Sequence, residues 1–332
     1  MFPDRFTAGR AALAILAVSL VSLLFIGSYA GALHAPSPDE VPIAVSAQVP
    51  QAAADQIDAT PAFRVIPVAG PAAAMRAIDD RKAYGALVVG GDGGLELVTA
   101  PAAGPAAQSA LLDGLAPQLR SAVSDVRLRT VHALPKADGR GLVGFYTAVG
   151  WIVAGYLGAT FLGIVFGTRP STRRTLWRMG GLLALSIIVG FGGAALAAWI
   201  GDIGNVGLIG LIGMLTVAAA GIVTTALQAA FGIIGTGVAI LVFVVLGNPS
   251  SGGPFPPELL PEPWQSVGPY IPTGAATSAI RNIAYFPDAS LGQAFIVLAA
   301  WILVGAVAAL LLSRGRHSPG EREHALAAVV AP

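Results

Sequence analysis

The chain has 332 residues, of which 55% are hydrophobic and 11% charged, and its mean hydropathy is +0.73. Soluble domains carry about 25% charged residues. An ordinary cytosolic globular protein is therefore excluded, as is disorder, which needs low hydrophobicity and high net charge. A net charge of +1 leaves no electrostatic footprint for nucleic acid, and the lack of cysteine removes disulfides, thiolate metal sites and cysteine nucleophiles. Lysine occurs only at Lys82 and Lys136; the dominance of arginine, with abundant alanine and glycine, fits a GC-rich bacterial gene.

A helix needs about 20 apolar residues to cross the hydrocarbon core of a bilayer. Six uncharged stretches meet this need: 11–33, 144–168, 179–200, 203–226, 229–247 and 291–313. No side chain from Ile203 to Pro257 is charged, so a tight turn between Gln228 and Gly232 has to divide two helices there. The first stretch admits two readings. Arg5, Arg10 and the small residues Ala30 to Ala32 suit a cleaved signal peptide, whereas the length of the run from Ala11 to Gly27 exceeds a usual signal core and suits an uncleaved anchor.

Short cytoplasmic loops collect arginine and lysine, while long translocated domains are largely exempt. Arg5 and Arg10, then Arg169, Arg173, Arg174 and Arg178, then Arg314, Arg316 and Arg322 fall on one side if there are six spans with both termini cytoplasmic. The expectation is an α-helical, multi-pass protein of the bacterial cytoplasmic (inner) membrane. Its parts are an N-terminus with the first span at 1–33, an extracytoplasmic domain at 34–141, five spans within 142–313, and a cytoplasmic tail at 314–332.

Charged residues concentrate in 34–141. Strands are predicted at 42–47, 63–68, 84–89 and 95–99, the last two joined by the glycine-rich hairpin 90–94. Pro67 confines its strand to an edge or a strand end. Helices are predicted at 50–57, 71–81 and from 105 to about 126, giving a small α/β domain large enough to fold alone. Arg120, Asp125, Arg127 and Arg129 read as a solvated helix face, and His34 and His132 lack the acidic company of a metal site. His317, Glu321, Glu323 and His324 read as a polar tail.

Catalytic chemistry is absent from the pattern. There is no phosphate loop of the G-x-x-x-x-G-K-[ST] type and no H-E-x-x-H, so the chain is not expected to hydrolyse ATP or to hold a cofactor or metal. Uncharged spans weigh against an ion-coupled pump. Gly204, Gly207, Gly210 and Gly213 recur at every third residue and read as a close helix contact, within one bundle or between subunits. The segment 248–290 is turned by Asn248 to Gly253 and broken by Pro254, Pro256, Pro257, Pro261 and Pro263. It carries Leu259, Leu260, Trp264, Tyr270 and Ile271, and ends in a short helix, 275–285, with Arg281. Such a segment is expected to lie on, or dip into, the outer leaflet, in contact with lipid.

One span, an outer α/β domain, then five spans with a structured outer segment before the last resembles the permease subunits of type-two ABC exporters, closest to the phage-infection-protein (YhgE/Pip)-like branch. The motif-like part is Gly247-Asn248-Pro249 with the glycines that follow, Leu259-Leu260-Pro261, Trp264, Pro272-Thr273-Gly274 and Arg281-Asn282, which looks like the re-entrant outer segment between helices 5 and 6 of those permeases. The resemblance implies a homodimer or heterodimer through the membrane domain and a separate ABC ATPase subunit on the cytoplasmic side. Arg173, Arg174, Trp177 and Arg178 stand where the ATPase would dock, and they also serve as an ordinary positive-inside signal. A membrane-anchored envelope scaffold whose outer domain binds a partner is the alternative from another class.

Overall fold

A computed structural model describes residues 5–123 and 126–314; Asp125 and the tail from 315 onward, with Arg316 and Arg322, lie outside the described residues. The first helix, α1 (Arg5–Leu33), leads into the α/β domain. Its elements are β1 (Val41–Ser46), α2 (Gln51–Asp58), β2 (Phe63–Val68), α3 (Pro71–Asp79), β3 (Gly85–Val89) and β4 (Leu95–Thr99). There follow α4 (Pro105–Ser109), a π-helical turn (Ala110–Leu115), α5 (Ala116–Ala122) and β5 (Val126–Thr130). The sheet order is β2-β1-β3-β4-β5, parallel except for the β3–β4 hairpin. Pro67 sits in β2, an edge strand, where its missing N–H breaks no central ladder.

The arginine-rich stretch after α5 is corrected from a helix face to a strand. Arg127 pairs with Asp92 of the hairpin, and Arg129 lies 3.8 Å from Glu96 on β4. Pairing with β4 accounts for the change, since Leu95 to Thr99 match Val126 to Thr130 residue for residue. The helix before it breaks near Pro117, whose ring removes one backbone N–H, and the chain passes that point through the π turn.

The remaining helices are α6 (Val143–Phe166), α7 (Thr172–Gly201), α8 (Val206–Phe231), α9 (Ile234–Ile240), α10 (Trp264–Val267), α11 (Pro272–Tyr285) and α12 (Gly292–Ser313). Among the described residues five helices are long and apolar enough to cross a membrane: α1 from Ala11, α6, α7, α8 and α12. The stretch predicted as the fifth span is shorter, Ile234–Leu246, because α8 runs on to Phe231 and Gly232 turns the chain at φ 66°. At about 1.5 Å per residue it is about 20 Å long, short of the hydrocarbon thickness of about 30 Å. It starts beside the end of α8, where Arg169 donates to the Ala230 carbonyl at 3.4 Å, and its far end offers the Val245 carbonyl to Ser28 of α1.

Two ends of the bundle are thereby defined. Thr172 at the start of α7 donates to Ser313 at the end of α12, so Arg169, Arg173, Arg174 and Arg314 share one end. The other end holds Gly201, packed on Val143, and carries the α/β domain.

Candidate functional site

At the arginine end, α7 has a buried stripe formed by Ser171, Thr175, Arg178, Leu182, Ser186 and Gly190 at helical spacing. Arg173, Arg174, Leu176 and Trp177 are exposed, with Trp177 63% accessible. They form one uncovered basic and apolar surface. Arg178 is corrected from a docking residue to an interior one. Its side chain is fully buried and donates to the carbonyls of Ala159 at 3.0 Å and Gly167 at 3.2 Å, to Thr225 at 3.5 Å, and to the amide oxygen of Gln228. The carbonyls belong to the last turns of α6, whose negative dipole end favours a cation. The expectation that the spans hold no charge fails for this residue, because α7 begins seven residues earlier than its apolar run suggests.

The glycine row splits. An added Cβ on Gly204 or Gly207 would meet nothing, whereas one on Gly210 would strike Phe191 and one on Gly213 would strike Trp151. A strict three-residue period turns 60° backward around a helix of 3.6 residues per turn with each repeat, so four such glycines cannot share one face. Gly210 and Gly213 let α7 and α8 approach so closely that a Cβ on Gly190 would overlap the Met214 backbone.

The segment 248–290 packs against both the α/β domain and the helical bundle. Asn248 and Pro249 are buried; the Asn248 carbonyl accepts from the Ser251 backbone and hydroxyl, at 3.2 and 2.7 Å. Pro261 is exposed beside α10, where the Trp264 indole donates to Ser28 of α1 at 2.9 Å. Pro272 opens α11, three residues earlier than predicted, and Arg281 on that helix donates to the carbonyls of Gly252 and Gly253 at 3.0 and 3.2 Å. A Cβ on Gly268 would overlap the Ser250 carbonyl and one on Gly274 the Gly268 carbonyl, so three backbones cross where only glycine fits.

The segment also completes the α/β domain. Leu259 joins the core between the sheet and α2, α4 and α5, while Phe286 and Ala289 join the core under α3. Phe286 packs against the His132 ring at 4.5 Å between centroids; His132 bonds Asp79 at 2.7 Å and the Tyr285 carbonyl at 3.0 Å. Tyr285 donates to Asp138, which also accepts from the first backbone N–H groups of α6, and burial pushes its phenol pKa up.

Between the α/β domain and the segment 248–290, which includes α11, lies a cavity of about 430 Å³, lined among others by Arg81, Tyr84, Ser250, Glu258, Ser278 and Arg281. Arg81, just past α3 at φ 55°, donates to the Ser278 carbonyl at 3.3 Å, its hydroxyl at 3.0 Å, and the Asn282 amide oxygen. Burial, then the charge of Arg281, lowers the Arg81 pKa to about 10. Tyr84 donates to Glu258 at 2.8 Å, and burial raises its pKa, with Glu258 adding to the shift. The sequence singles out Arg281 but not Arg81, which carries no local motif; only tertiary packing brings it to α11.

Comparison with known protein families, with curated proteins and with solved structures finds no match. The fold and composition define the class: a multi-pass membrane protein with a small α/β domain seated on one end of a helical bundle.

Proposed function

We propose that this chain is the membrane-spanning permease subunit of an ATP-driven exporter, moving a lipophilic or amphipathic substrate while a separate ABC ATPase subunit hydrolyses ATP. The observation that carries it is the uncovered surface of Arg173, Arg174, Leu176 and Trp177, at the end opposite the α/β domain. A helix of 30 residues is about 45 Å long against about 30 Å of hydrocarbon, so α7 extends beyond the bilayer as a rigid lever on which a partner can push. In this reading the arginine end is cytoplasmic, both termini with it, in the bacterial inner membrane, and Ile234–Leu246 is a short fifth of six crossings. The exposed apolar sides of α1, including Leu13, Leu16 and Leu23, face lipid or a second subunit in a homodimer or heterodimer.

The test is co-purification. Changing Arg173 and Arg174 to lysine keeps the charge and orientation signal but removes the planar fork that pairs with carboxylates in two hydrogen bonds. The ATPase should be retained by the parent chain and lost or strongly reduced with R173K/R174K. Full retention by the variant restricts these arginines to orientation. A membrane-anchored envelope scaffold is the second reading, favoured by the fixed seating of the domain through Phe286 and His132; retention of an outer-side partner in place of an ATPase selects it.

A further inference from the structure

The cavity above α11 joins residues almost 200 positions apart in sequence, Arg81 from the domain and Ser278 and Arg281 from α11. Its size is that of a small-molecule site, about 300–1,000 Å³. Gln293 and Ala294, in the first turn of α12, also line it, so it lies at the end of the bundle where that long apolar helix begins. Neither guanidinium has a carboxylate within ion-pair distance among the described residues. Arg281 is spent on two backbone carbonyls, and Arg81 on Ser278 and Asn282. Of the two lining carboxylates, Asp80 is engaged by Lys82 at 2.7 Å, and Glu258 holds Tyr84 through one oxygen.

We propose that this cavity binds a phosphate-bearing, hydroxylated headgroup, such as a glycerol phosphate, free or as part of an anionic lipid. Arg81 and Arg281 attract the phosphate from the cavity wall, to which Ser250 and Ser278 also belong. Glu258, which would repel a bare phosphate, accepts from the headgroup hydroxyls. The site goes beyond the transport reading and does not depend on an ATPase.

Binding is measured on the purified full chain in detergent by native mass spectrometry, with phosphatidylglycerol, phosphatidylmethanol and phosphatidylcholine as probes. Phosphatidylglycerol should bind about tenfold more tightly than phosphatidylcholine, which keeps the phosphate but replaces the headgroup hydroxyls with a quaternary ammonium that Arg81 and Arg281 repel. R81Q should abolish that preference, measured at a temperature where the lipid-free variant is folded, since losing the bonds to Ser278 and Asn282 lowers its unfolding temperature. E258Q, which leaves every Arg81 and Arg281 hydrogen bond in place, should keep the preference over phosphatidylcholine and lose that over phosphatidylmethanol. Displacement of the lipid by free sn-glycerol 3-phosphate assigns the site to the soluble headgroup, and its failure to displace assigns it to the lipid. Equal binding of phosphatidylglycerol and phosphatidylcholine by the parent chain, or an unchanged preference in R81Q, overturns the proposal. Should R81Q not fold, E258Q decides: indifference of both parent and E258Q between phosphatidylglycerol and phosphatidylmethanol overturns it. None of these outcomes touches ATPase docking at the opposite end.

Discussion

Arg178 shows how one side chain changes meaning with depth. Its guanidinium is buried beside the end of α6 and held by Gln228, with no carboxylate in ion-pair range among the described residues. Gly163 makes room for the pair, since a Cβ there would press on the Gln228 amide. Arg178 keeps its other acceptors, so losing the Gln228 bond costs about 1.5–3 kcal/mol, as for a hydrogen bond to a charged group, whereas replacing both partners by apolar groups of similar volume can be nearly neutral. Q228L should therefore lower the unfolding temperature in detergent markedly, and R178M/Q228L should recover much of the loss. Additive losses in the double variant would mean that Arg178 and Gln228 act independently.

At the scale of elements, the α7–α8 contact rests on glycine. G213A would drive a methyl into Trp151, whose indole is also fixed by donating to the Val189 carbonyl at 3.0 Å, so about 1–3 kcal/mol should be lost to overpacking. G207A meets open space and relieves a helix of glycine, so stability should be unchanged or raised by up to about 1 kcal/mol. Thermal unfolding of the two variants in detergent checks the contrast. If G207A is the more damaging, the exposed half of the row is covered by another subunit. On β5, an edge strand of the sheet, the exposed Arg127 and Arg129 face solvent beside Asp92 and Glu96.

For the whole molecule, the central relation is between the α/β domain and the segment after α9. Phe286 is 1% exposed within the domain core although it follows the domain by more than 140 residues in sequence. F286A should cost about 3–5 kcal/mol and free the domain for proteolysis while the bundle helices stay protected. Limited proteolysis followed by peptide mapping reads this directly; protection equal to the parent would show that the seat does not depend on Phe286. The same relation means that residues 34–141 expressed alone should expose apolar surface where Leu259, Phe286 and Ala289 belong, and bind a hydrophobic dye in detergent-free buffer.

The class of protein, the five long helices to within about seven residues at their ends, and four of the five strands were legible in the sequence. These features follow from composition and local periodicity: an apolar run long enough to span, alternation bounded by glycine and proline, a turn at Gly232. Long-range pairing decided the rest. β5 exists because β4 offers its edge, and the first turns of α7 exist because a helix continues through polar residues that its bundle face tolerates. The burial of Arg178 and the cavity between Arg81 and Arg281 were fixed by which backbones approach one another, and no sequence window contains both sides of such a contact.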